Sequence, residues 1–212
     1  MKPIKQYLNT LIFAIYAGLI IGFGGIVYLS VQPAALGAFL FCVGLLTIVL
    51  FNFNLFTGKV IYLVINPPSY LITLAVIWVG NFIGTFCTAT AVKFTKIYDN
   101  LNRVNQIVDG KLQDNLLSAF ILAVFCGVMM FVAVDAQQDN VTSSPILKSC
   151  AVFLPIVVFI LSGFNHIVAD MFFISLAGKW SVEAIPYAIV VTLGNTCGSV
   201  LFSFGKYRLA RN

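Results

Sequence analysis

Three ionisable side chains stand inside the long apolar runs of this sequence: Lys59, His166 and Asp170. A charge in the hydrocarbon layer is costly, so such a residue faces a cavity or a partner by default and marks a candidate functional site. Lys59, in the stretch FNLFTGKVIYLV, is the single charge between Gln6 and Val92. His166, the single histidine, lies in SGFNHIVADM, four residues before Asp170. An imidazole placed there can exchange a proton with a weak acid near neutral pH. One histidine and one acid do not make a metal-ligand set or a nucleophile with a neighbouring base, so we expect no catalytic residue, no metal and no cofactor.

The elements that must hold these residues are membrane helices. Of the 212 residues, 60% are hydrophobic and 9% charged, and mean hydropathy is +1.01, far above a soluble domain of this size. A span needs ~20 apolar residues. The chain divides into six, at about 7–29, 34–65, 70–92, 116–134, 146–177 and 185–204, which leaves no room for a soluble domain. The basic start resembles a secretory leader, but its apolar run is too long for one and reads as a retained first helix. Spans two and five are too long for one straight crossing and carry polar residues and glycine near their centres, so each is read as a broken helix. Pro67 and Pro68 end the second, and polar connections precede spans four and five.

The halves repeat. Phe53-Asn54 precedes Gly58-Lys59 as Phe164-Asn165 precedes Ala169-Asp170, and Gly80-Asn81-x-x-Gly84 matches Gly194-Asn195-x-x-Gly198. The offsets, 170 against 59 and 194 against 80, are 111 and 114. Three helices used twice must enter from opposite sides of the bilayer, which gives an inverted three-plus-three repeat, about 7–92 and 114–205, in one transmembrane domain of 1–212. Broken helices then meet near the midplane. We therefore expect Lys59 and Asp170 to pair there or share a hydrogen-bonded network, with Asn54 and Asn165 bracing the two loops. The GxxxG spacings at Gly18 and Gly22, Gly80 and Gly84, and Gly194 and Gly198 favour close helix packing.

The net charge of +5 does not indicate nucleic acid, because the twelve Lys and Arg lie mostly at span ends, where cations favour lipid headgroups. With the termini cytoplasmic, six basic residues (Lys2, Lys5, Lys148, Lys206, Arg208, Arg211) face five (Lys93, Lys96, Arg103, Lys111, Lys179), close to balance. Cys42, Cys87, Cys126, Cys150 and Cys197 lie in apolar segments without metal-ligand spacing and read as small hydrophobes.

NLFTGK and GFNHIVADM resemble the E-L-F-T-G-N and G-F-E-H-x-x-A-N-M segments of the formate/nitrite transporters, and the two G-N-x-x-G segments and span spacing extend the likeness over nearly the whole chain. The resemblance implies an aquaporin-like protomer in a homopentamer of a prokaryotic inner membrane, each protomer carrying small monovalent anions through its own pore. It places Thr57 and His166 as the central polar pair, and Phe41, Leu45, Leu55, Met130 and Phe159 at hydrophobic constrictions. The chain departs from the family at symmetric positions: Asn54 and Asn165 stand where the family has Glu, and Lys59 and Asp170 where it has Asn. Gly127 stands where the family has Asn in span four. The formal charge of the loop layer rises from −2 to zero. The expected mechanism is capture of an anion, protonation near His166, and passage of the neutral acid past Phe41 and Phe159. The alternative is the same fold conducting a neutral molecule or a cation.

Overall fold

The computed structural model describes residues 2–138 and 141–209, with side chains from residue 4 onward; of the basic residues counted above, Arg211 and the side chain of Lys2 lie outside the described residues. Those residues form an all-helical membrane channel fold. Four helices are long and apolar enough to cross a membrane: α1 (Lys2–Ser30), α4 (Tyr70–Val92), α6 (Leu116–Asp135) and α9 (Ala184–Phe204). Span two is divided into α2 (Ala34–Leu50) and α3 (Phe56–Lys59), the latter continuing as a tighter turn over Val60–Ile65. Span five is divided into α7 (Pro145–Leu161) and α8 (Ile167–Ala177). The expected breaks in spans two and five are both present.

Each break has a local cause. Asn52 takes φ 52° and Gly163 φ 71°, and asparagine and glycine are the residue types that enter the left-handed region at least cost. Asn52 and Gly163 are also equivalent between the repeats, offset by 111 as Lys59 and Asp170 are. Backbone bonds repeat at the same offset: Phe53 N–H donates to the Ile48 carbonyl, and Phe164 N–H to that of Phe159, both at 2.9 Å.

Two tight crossings carry the repeats, α1 on α4 and α6 on α9. A side chain at Gly84 would overlap the Ile15 carbonyl, and one at Gly198 the Val124 carbonyl, so these helices touch through backbone. Gly127 takes part in the second crossing, where a side chain would strike the Asn195 carbonyl. It holds in α6 the place that Gly18, facing the Asn81 carbonyl, holds in α1.

The exterior is apolar, with Leu71, Ile72, Leu117 and Leu201 exposed, whereas Thr57, Asn81, His166, Asp170, Asn195 and Ser199 are buried. That distribution suits a lipid surround and a polar interior path. The connection before α6, read from sequence only as polar, contains a further helix, α5 (Arg103–Leu112). Val104 and Val108, four apart, form its buried stripe, and it packs on α8.

Candidate functional site

The half-helices α3 and α8 begin at the breaks, where their first amides lack intrahelical partners. Two asparagines meet this need. Asn81 Oδ1 accepts from Phe56 N–H at 2.8 Å while its Nδ2 donates to the carbonyls of Ala14 and Asn54 at 2.8 and 2.9 Å. Asn195 repeats the pattern: Oδ1 accepts from Ile167 N–H at 2.9 Å, and Nδ2 donates to Ala123 and Asn165, both at 2.8 Å. The repeat and the family likeness both include these asparagines without assigning them this role; an asparagine inside an apolar span is the signal that points to it. Asn54 and Asn165 tie the loops outward, donating to the carbonyls of Thr10 in α1 and Ala119 in α6 at 3.2 and 3.3 Å.

So positioned, the half-helices bring Thr57 and His166 together. Thr57 Oγ1 lies 2.8 Å from His166 Nε2, and both residues are buried. The other ring nitrogen, Nδ1, accepts from Ala169 N–H at 3.1 Å and caps α8. A neutral ring with Nδ1 accepting carries its proton on Nε2, so that proton is donated to the Thr57 oxygen. Phe159 stacks on the imidazole, with centroids 5.5 Å apart and planes 14° from parallel.

Two cavities lie either side of this pair and share no lining residue. The larger, about 350 Å³, is lined by His166, Phe41 and Phe159 together with Lys111, Asp114 and Asp170. The smaller, about 190 Å³, is lined by Leu45, Leu55, Asn52, Lys59, Tyr62 and Gln138 among others. Of the five residues expected at constrictions, Phe41, Phe159, Leu45 and Leu55 face one cavity or the other. Met130 is buried but lines neither.

Lys59 and Asp170 do not pair. Lys59 Nζ donates to Asn52 Oδ1 at 3.1 Å, whereas Asp170 Oδ1 lies 3.0 Å from Lys111 Nζ and its Oδ2 accepts from the Tyr187 hydroxyl at 2.8 Å. Both residues fall in the fourth position of their half-helices, and in an inverted repeat those helices lead away from each other. Equivalent positions one turn from the seam therefore reach different cavities. Lys111, absent from the sequence-based set of site residues, comes from α5 and also donates to Asn165 Oδ1 at 2.6 Å. Among the described residues, no group of three or more His, Cys, Asp or Glu is placed to hold a metal.

Two half-helices meeting head to head inside a six-span bundle, with a polar pair between two vestibules, define a polytopic membrane channel. The family description "Formate/nitrite transporter" matches residues 2–208, and the chain belongs to that family of channels and transporters. Among its relatives is "Formate channel FocA" of Haemophilus influenzae, 26% identical over 94% of this chain and 86% of the relative. "Formate channel BtFdhC" of Bacillus thuringiensis is 30% identical over 79% of this chain and 69% of its own. A solved "Pentameric formate channel with formate bound" superimposes with a TM-score of 0.83, at 26% identity over 98% of both chains.

Proposed function

We propose that the chain passes small monovalent anions of the formate, nitrite and hydrosulfide class, or their neutral acids, through one pore per protomer. It does so as a homopentamer in a prokaryotic inner membrane with cytoplasmic termini, and with proton exchange near His166. The observation that carries this reading is the buried Thr57–His166 hydrogen bond between two vestibules that each hold a lysine. A lysine draws an anion in. The apolar rings and side chains around the seam oppose its passage, because a bare charge entering such a layer costs many kcal/mol and a neutral acid far less.

Thr57 and His166 divide the work at the seam. With the ring donating from Nε2, the Thr57 hydroxyl hydrogen is left to hold an oxygen of the anion. A second proton on the ring must go to Nδ1 and displaces the Ala169 amide. The imidazolium, formed by a proton taken from vestibule water, is thus a short-lived donor: it passes one proton to the anion, which leaves as neutral acid, and the ring returns to its capped form once Nδ1 is again unprotonated and Nε2 carries the remaining proton. A second reading, a neutral solute or a cation, draws on Asp114 and Asp170 in the larger vestibule.

The test is pH-dependent uptake of formate, nitrite and hydrosulfide into proteoliposomes, wild type beside His166→Asn. Uptake should rise as pH falls, since protonation produces the permeant form, and should collapse in the variant. No uptake of the three, with urea, ammonium or potassium passing instead, would favour the second reading.

A further inference from the structure

The two vestibules differ in charge as well as in size. In the larger one, Lys111 faces two carboxylates, Asp114 and Asp170, so its charged lining residues sum to a formal −1. Asp170 holds Lys111 at 3.0 Å, and a second bond from the same ammonium goes to Asn165. Arg103 stands over the Tyr28 ring at 4.6 Å and is not among the lining residues. In the smaller vestibule the sole charged lining residue is Lys59, a formal +1. Its partner is the neutral Asn52 amide. The nearby Asp135 is engaged by Lys206 Nζ at 2.5 Å and by the Tyr207 hydroxyl, and does not line the cavity.

From this asymmetry we infer that Lys59, held by Asn52, is the anion-capture site of this chain, and that the Lys111 vestibule is largely withdrawn from anion capture by Asp170 and Asp114. The ligand class is the small monovalent anion of the reading above. The inference rests on the anion-channel reading above and assigns the capture step within it to one side. That side carries the terminal segments: Arg208 Nε donates to the Val64 carbonyl at 2.9 Å, and Lys5 and Gln6 border a neighbouring surface recess with Asn52. An ammonium hydrogen-bonded to a neutral amide keeps its full attraction for an incoming anion, whereas one in contact with a carboxylate has spent most of it. Lys59 is also half-buried, so its field is less screened than that of a surface lysine.

The experiment is zero-trans formate flux from each face of oriented proteoliposomes, comparing wild type with Lys59→Gln, Lys59→Arg, Lys111→Gln and Asp170→Asn. Lys59→Gln should raise the KM from the terminal face at least about tenfold with a smaller effect on maximal rate, and Lys59→Arg should restore it. Wild-type KM from that face should climb with ionic strength, and that of Lys59→Gln should not. Asp170→Asn should lower the KM from the opposite face by freeing Lys111. A fold defect in Lys59→Gln would reduce maximal rate without removing the salt dependence, so the split separates the two. Formate flux with an unchanged KM in Lys59→Gln overturns the inference alone. Wild-type liposomes that pass urea but no formate overturn the anion reading and this inference with it.

Discussion

Asn81 and Asn195 do the same work at the two helix breaks: each accepts from the opening amide of a half-helix and donates to one long-helix carbonyl and one loop carbonyl. Both side chains are fully buried, and all but the bond to the Asn54 carbonyl join buried residues. Deleting either side chain leaves a buried amide and two carbonyls without that partner.

Asn81→Ala and Asn195→Ala should therefore each destabilise the detergent-solubilised protein by about 3 kcal/mol or more. Thermal unfolding monitored by gel filtration would measure this. A loss no larger than that of an exposed control such as Leu117→Ala would show that the loops are held by other contacts.

Lys111, partly buried, pairs with the fully buried Asp170, so removing either partner leaves an uncompensated charge. Lys111→Met and Asp170→Asn should each cost several kcal/mol, about 3–5 at the upper end, and the double variant should recover much of the loss. The same cycle with Lys59→Met and Asp170→Asn should be additive, because those residues reach different cavities. Additivity in the first cycle would contradict the geometry.

Thr57→Val keeps the shape of the side chain but removes the acceptor of the His166 proton. Flux should fall at least about tenfold, the equivalent of one buried hydrogen bond of ~1.4 kcal/mol lost on the path, while Thr57→Ser should stay near wild type. Equal flux in Thr57→Val and Thr57→Ser would remove Thr57 from the permeation path.

Phe159 packs on the imidazole and lines the larger vestibule with Phe41. Phe159→Ala should widen the seam and admit larger monocarboxylates such as lactate relative to formate. The relative flux of the two acids, measured in one preparation, reads this directly. An unchanged ratio would place the narrowest point elsewhere.

Gly84 and Gly198 test the crossings. Alanine at either position drives Cβ into a carbonyl of the facing helix, an overlap that only backbone movement can relieve. Each should cost more than Gly110→Ala, whose Cβ meets nothing within 4 Å. Comparable unfolding temperatures for the three would show that the crossings yield easily.

Much of this architecture was legible in the sequence because spans and breaks are local. Tyr70–Val92 begins after a Pro-Pro pair and ends before Lys93, so its bounds follow from composition, and the left-handed Asn52 and Gly163 fall inside stretches already too long for one helix. Thr57 and His166, placed by the family resemblance, lie 2.8 Å apart. Partner choice was not legible. Equivalence of Lys59 and Asp170 under the repeat suggested a pair, but an inverted repeat sends residues past the seam toward opposite mouths. Lys111 was hidden for another reason: α5 has an apolar stripe of Val104, Ile107, Val108 and Leu112, but nothing local in the sequence says that this stripe packs on α8 and so brings the lysine to Asp170.

That lysine lies outside both helix crossings. The helix that carries it, α5, connects α4 to α6, so one vestibule takes a defining charge from the segment between the two crossings. Exchange of the linker between related channels would carry Lys111 with it and leave both helix crossings untouched. The ionic character of that mouth can therefore diverge through the linker while the duplicated scaffold remains constant.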